Sequence, residues 1–133
     1  KIAGKAVVGM YYTSVAGPVT VYPQAKQFAQ DYKKKFGKNP EPFSAQAYDS
    51  TAILLKAIEA AAKGGKMPTR DAVTAAIRDV KYKGITGSVE FDAKGDPKKA
   101  LYFVLQVASD DPAKWGDNKE VKRLSIAAPA VKK

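Results

Sequence analysis

Residues 42–65, PFSAQAYDSTAILLKAIEAAAKGG, form the longest strongly patterned stretch of the chain, and their reading decides the fold. Ser44 suits a helix N-cap, its hydroxyl accepting a hydrogen bond from a free N–H group of the first turn. Gly64 and Gly65 offer the left-handed residue that commonly closes a helix. Between them Ala47, Tyr48, Ala52, Leu55 and Ile58, together with Ile53, Leu54 and Ala62, make an apolar band wider than the single stripe of a surface helix. The pattern predicts a helix buried over most of its circumference, with the other elements packed around it.

Upstream, residues 6–12 (AVVGMYY) are apolar and rich in valine and tyrosine, which predicts a buried strand. Residues 13–18 (TSVAGP) then read as a loop. Pro23 suits a first helical position, and Ala25, Phe28, Ala29, Tyr32 and Phe36 follow helical spacing up to a stop at Gly37. Lys38-Asn39-Pro40-Glu41-Pro42 is a stiff connector, because each proline restricts itself and the residue before it. Downstream, Thr69 is expected to cap a third helix running from Arg70 to about Val80, with Val73, Ala76, Ile77 and Val80 inward. Residues 82–87 read as a loop, 88–91 as a short strand and 92–97 as a turn. Residues 101–107 read as a more apolar strand. Beyond Pro112 the pattern fades apart from Trp115, and 127–133 read as a loose tail. The order is strand, helix, helix, helix and two strands, an α/β class with few strands for its helices.

Composition narrows the chemistry. With 45% hydrophobic and 27% charged residues among 133, the chain suits one ordinary domain with a core. It has no cysteine and no histidine, so thiolate sites and the commonest general base and zinc ligand are excluded. A net charge of +10 raises a nucleic-acid or anionic-surface reading. Only three of the 23 basic residues are arginine, however, and the lysines are scattered rather than striped. The chain opens on Lys1 rather than Met, and is expected to be a processed product or a piece of something longer.

Several stretches together carry a family resemblance: Phe36-Gly37-Lys38 followed by Pro40, the run Phe43-Ser44-Ala45-Gln46-Ala47-Tyr48-Asp49-Ser50, and Gly84-Ile85-Thr86-Gly87 leading to Val89, Phe91-Asp92 and Gly95-Asp96. From about Gly4 to Val107 the chain resembles the periplasmic solute-binding proteins of branched-chain amino acid ABC importers, the Leu/Ile/Val-binding type. The resemblance implies the C-terminal part of a type I periplasmic binding fold, with two Rossmann-like lobes joined by three crossovers and incomplete in this chain alone. It assigns residues 1–39 to the second lobe, 40–96 to the first lobe with its crossovers, and 97–133 to the return strand and tail of the second. It implies a receptor without catalysis or cofactor, located in the periplasm or outside the cell, with a membrane permease as partner and a small amphiphile held between the lobes.

Within that frame Tyr11 and Tyr12 are expected at the end of the first strand, where α/β folds meet their ligands. Phe43 and Gln46, at the crossover and the mouth of the central helix, are candidates for the ligand side chain. Tyr48 is a further candidate that also fits the core. Asp49 is expected to serve a hinge backbone amide or to favour the helix N-terminus electrostatically. Pro42 belongs to a crossover and Asp92 to the turn before the last one. The acids around Gly95 lack the ligand spacing of a calcium loop, so no metal site is expected. Taken alone, such a chain would expose strand edges and an apolar helix face, which favours self-association.

Overall fold

The computed structural model describes residues 2–62 and 65–127. Among the described residues three α-helices and five strands lie in the order β1 (Tyr11–Ser14), α1 (Lys26–Phe36), α2 (Ser44–Ala61), α3 (Arg70–Asp79), β2 (Tyr82–Gly84), β3 (Gly87–Val89), β4 (Lys99–Gln106) and β5 (Lys119–Ala127). β4 is the centre of a three-stranded sheet of order β1-β4-β5, and β2 and β3 form a separate hairpin. All these pairings are antiparallel.

Alternation along β4 builds the core. Leu101, Phe103 and Leu105 face the helices, and the last two are fully buried. Tyr22, Ala25 and Ala45 close over them, with Tyr12, Val21, Phe28 and Ile85 packed at the edge. The alternate residues face the other way, where Tyr102 lies opposite Leu124 and Ala100 opposite Ile126. Tyr102, Leu124 and Ile126 are exposed, so that side of the sheet carries no second layer among the described residues. β5 is exposed along its whole length. It follows β4 with a bulge at Val121, where the register shifts between Val104 and Leu105.

Helix ends agree in part with the sequence. Gly37 takes the left-handed conformation (φ 70°) that stops α1, its N–H bonding the Lys33 carbonyl. Thr69 caps α3 by accepting from the Ala72 N–H at 3.2 Å. Ser44 is not the cap of α2. It is the first helical residue, and the cap position is held by Phe43 in a left-handed conformation (φ 68°) with no side-chain cap bond. Gly65 is left-handed (φ 76°) but does not close α2, which ends at Ala61 with Ala62 as its cap at a negative φ (−81°); Gly64 lies outside the described residues.

Four further expectations are corrected. The first strand begins at Tyr11, and Gly4–Val7 form a turn of 3-10 helix, because pairing with β4 starts only beyond Gly9, whose φ of 88° breaks an extended run. Thr13 and Ser14, expected in a loop, are therefore strand. Residues 82–89 are a hairpin turning at Ile85-Thr86 rather than a loop followed by a strand. The pattern does not end at Pro112: β5 adds a nine-residue strand, and Ala127 is its last residue. Residues 128–133 of the expected tail lie outside the described residues. Lastly, α2 buries a single stripe of Ala45, Asp49, Ile53 and Ala57, while Tyr48, Leu54 and Leu55 are exposed. The wide apolar band thus finds only part of its cover here.

Candidate functional site

The head of α2 meets the loop after β1 at Tyr22. Burial in the β4 core fixes the tyrosine, with its ring edge-on to Phe103 at 5.7 Å and 86°. Its hydroxyl accepts from the Gln46 side-chain amide at 2.9 Å and, more weakly, from the Gly17 N–H at 3.4 Å. Burial pushes the phenol's pKa up, against the lowering effect of those two hydrogen bonds. A Cβ on Gly17 would lie 2.6 Å from the Val21 side chain and 3.5 Å from the Phe103 ring, so this close approach needs glycine. From β5, the Arg123 guanidinium sits 5.2 Å from the centre of the Phe103 ring and donates to the Val21 carbonyl at 2.8 Å. Its hydrogen bonds to Glu120 raise its pKa.

One turn further along α2, Asp49 is 2% exposed. Its carboxylate accepts from the Ile85 N–H at 3.0 Å, the Thr86 N–H at 2.8 Å and the Thr86 hydroxyl at 2.5 Å. A buried carboxylate without a cation is tolerable only with such a set of donors. The hairpin approaches so closely that a Cβ on Gly84 would stand 2.4 Å from the carboxylate. Asp49 therefore ties α2 to the β2–β3 turn.

The other sequence candidates fall at different distances from this junction. Phe43, half exposed, stands at the exit of the connector. Tyr48 is 52% exposed rather than core, and its ring lies tilted against Phe28 of α1 at 5.1 Å. Phe28, Tyr32 and Phe36 continue that aromatic run along an open groove of about 540 Å³ between α1 and α2. Tyr11 and Tyr12 begin β1 instead of ending it, so the residues nearest the loop are Thr13 and Ser14. Tyr12 pairs with Leu105 on the core side, and its hydroxyl accepts from Asn118 at 3.0 Å. Tyr11 is on the uncovered side, with its hydroxyl bonded by Gln106 at 3.1 Å. Phe43, Gln46 and Tyr48 thus follow one another at the head of α2 but do not converge, Gln46 reaching Tyr22 and Tyr48 the α1 side; Tyr12 lies two strand positions from the residue opposite Phe103, and Tyr11 is turned to the opposite face.

Pro42 is exposed in the turn that leads to Phe43. The Asp92 carboxylate accepts from the Lys94 and Asp96 N–H groups at 2.9 and 3.0 Å. These bonds, that from Asp96 foremost, hold its pKa below the ordinary carboxylate value. Among the described residues no group of three potential metal ligands is present. Sequence reasoning missed Tyr22 and Thr86. For Tyr22 the available signal was a bulky aromatic directly before the helix-starting Pro23, and for Thr86 the Gly-Ile-Thr-Gly turn itself.

The family model for periplasmic binding proteins matches residues 1–112. The Leu/Ile/Val-binding protein homolog 2 of Brucella abortus is 28% identical over 125 residues, which span 86% of this chain and 33% of that protein. Among solved structures, the leucine-binding protein LivK of Thermotoga maritima superimposes with a TM-score of 0.71 at 29% identity, over 92% of this chain and 33% of that one. A solute-binding ABC transporter protein of R. palustris in complex with benzoate gives 0.72 at 16% identity over 98% and 34%, a likeness of fold alone. The chain spans about a third of the length of these relatives, and the fold they share is the type I periplasmic binding fold. With the family model covering most of its length, the chain belongs to the periplasmic binding protein family.

Proposed function

We propose that this chain supplies parts of both lobes of the solute receptor of an ABC importer, which captures branched-chain amino acids or related small amphiphiles between its lobes and delivers them to a membrane permease. Residues 1–39 and 97–133 belong to the second lobe and 40–96 to the first. The division is supported by the pairing of β1 with β4, while α2 and α3 pack on each other and the hairpin is tied to α2 by Asp49. The observation that carries the reading is the junction at Tyr22, where the head of α2 meets the loop after β1 just beyond the connector. A hinged boundary of this kind is a natural ligand cleft.

Phe43, Gln46 and Tyr48 form the first-lobe wall in this reading. Of the second-lobe tyrosines the geometry favours Tyr12 over Tyr11, because Tyr12 shares the face of Tyr22. Asp49 and Pro42 fix the hinge, and the Asp92 turn leads into the return strand. The receptor binds without catalysis or cofactor and works in the periplasm or outside the cell, at the membrane through its transporter. Among the described residues no helix is long and apolar enough to cross a membrane.

The test is calorimetric titration of the full-length gene product, its covalent mass first fixed by mass spectrometry, with leucine, isoleucine, valine and benzoate. Saturable binding of one of these supports the receptor reading. Silence across the panel, combined with salt-dependent retention of DNA, would replace it with the basic-module alternative.

A further inference from the structure

β5 is an open edge of the three-stranded sheet, exposed at every residue from Lys119 to Ala127. A long edge is a template for another strand unless charge, proline or a bulge blunts it. Here the blunting stops halfway. Lys119, Glu120, Lys122, Arg123 and the bulge at Val121 lie in the first part, whereas Leu124-Ser125-Ile126-Ala127 carries neither charge nor proline. Leu124 and Ile126 stand on the uncovered side of the sheet, 41% and 48% exposed, opposite Tyr102 and Ala100 of β4. The next blunting residue in the sequence is Pro129, which has no N–H to give to a ladder. β1, at the opposite edge, is only four residues long.

We propose that the occupant of this edge is a second copy of the protein, its β5 running antiparallel to the first about a two-fold axis at Ser125. Ser125 then lies opposite the partner's Ser125, Leu124 opposite the partner's Ile126, and Arg123 opposite the partner's Ala127. An axis centred on a residue brings outward-pointing backbone groups together and keeps paired side chains on one face. It also sets the Val121 bulge opposite the partner's Pro129, so both interruptions fall at the same boundary of the paired run. An axis at Lys122 or Arg123 would instead place like charges face to face, which destabilises a strand pair. With the axis at Ser125, Leu124 and Ile126 of both copies make one apolar stripe across six strands, continuous with Tyr102. So short a pairing buries less than the roughly 1,200 Å² of a standard-sized interface, so the dimer is weak. Lys122 and Arg123 flank the run in both copies, and salt tightens the dimer by screening them.

The experiment is sedimentation velocity of the full-length protein from low to high micromolar concentration, at low and at high salt. Wild type is expected to shift from monomer to dimer with concentration, and further at high salt. Two double variants test the register: Leu124→Lys with Ile126→Lys, and Leu124→Glu with Ile126→Glu. Both sites are exposed, and an unchanged melting curve checks that each variant folds. Each double variant alone stays monomeric. An equal mixture of the two forms a heterodimer, because every residue 124 lies opposite a residue 126 of the other copy. Ser125→Cys is expected to join its own counterpart on mild oxidation, since directly opposed Cα atoms lie about 4.5–5.5 Å apart, within disulfide reach. Lys119→Cys, far from its counterpart, stays unlinked; mass spectrometry identifies the linked residues.

A wild type that stays monomeric throughout, or a dimer that survives both double variants, overturns the inference. A dimer lost in the double variants but neither restored on mixing nor linked through Ser125→Cys is a face-to-face stack of sheets, which also overturns edge pairing. Rescue on mixing together with the residue 125 disulfide supports it. Ligand capture is measured separately, so none of these outcomes touches the receptor reading.

Discussion

Replacing Asp49 by alanine removes the acceptor for two backbone N–H groups and a hydroxyl at a site that is 2% exposed. Each buried donor left without a partner costs about 1–3 kcal/mol, and the Ile85 and Thr86 N–H groups, only part-buried, lie in the lower part of that range. The Thr86 hydroxyl can rotate toward another partner, so the two N–H groups decide the sum. Asp49→Ala is expected to destabilise the protein by about 3 kcal/mol, which for a domain of this size lowers the melting temperature by roughly 10 °C. Hydrogen exchange monitored by NMR supplies the local readout: the Ile85 and Thr86 amides lose protection before the rest of the protein. A companion substitution separates the hydrogen bonds from packing. Gly84→Ala places a methyl group 2.4 Å from the carboxylate and is disruptive in the wild type. In the Asp49→Ala background the space is vacated, so the two changes are less than additive by about 1 kcal/mol or more. Unchanged melting and unchanged exchange at Ile85 and Thr86 in Asp49→Ala would refute the assignment of Asp49 as the tie between α2 and the hairpin.

Phe43 holds a left-handed backbone that β-branched side chains disfavour, so Phe43→Val is expected to cost about 1–2 kcal/mol in urea unfolding, whereas Phe43→Gly is nearly neutral; equal costs would show that the ring, not the backbone, matters there. The depressed pKa of Asp92 gives a contribution that is full above the unfolded value of about 4 and is lost as pH falls through the lower folded value. Asp92→Asn should remove that part of the acid dependence, and an NMR titration midpoint at or above that of an ordinary aspartate would contradict it. The 133-residue chain on its own is expected to self-associate through its exposed apolar surfaces, among them Tyr48, Leu54, Leu55, Leu124 and Ile126. Sedimentation showing a monomer at micromolar concentration would count against that expectation.

Local chemistry made the helices legible. The α1 stop at Gly37, the Thr69 cap and the turn at Asp92 each depend on a few neighbouring residues. The strands were harder, because their limits are set by partners far along the chain. The apolar run 6–12 looks extended by itself, yet only pairing with β4 decides that Tyr11 is the first strand residue. β5 carries Lys119, Glu120, Lys122 and Arg123, a pattern too polar to signal a strand, and it is held by the β4 ladder and by Arg123 reaching Val21. The hairpin was hidden by Gly84 and Gly87, which read as loop, although the first glycine is there to admit a carboxylate. At the candidate site Gln46 was legible as a polar residue at a helix mouth. Its buried anchor Tyr22 was not, because the hydrogen bond spans 24 residues.

The central position of β4 also fixes an order of assembly. Gln106 reaches back 97 residues to Gly9, so the three-stranded sheet closes only after everything between its first two strands has been made. The entropy of closing so long a loop must be met before the sheet returns any stability. Contacts of α2 with α3 and of β2 with β3 are local by comparison and face a smaller barrier of this kind. During synthesis on the ribosome the middle unit can therefore form first, while Tyr11, Tyr12 and their neighbours wait for β4 to emerge before the edge facing it is paired. That waiting edge is open to capture by a chaperone, and lengthening the loop at residues 65–68 should slow sheet closure more than it weakens the finished protein.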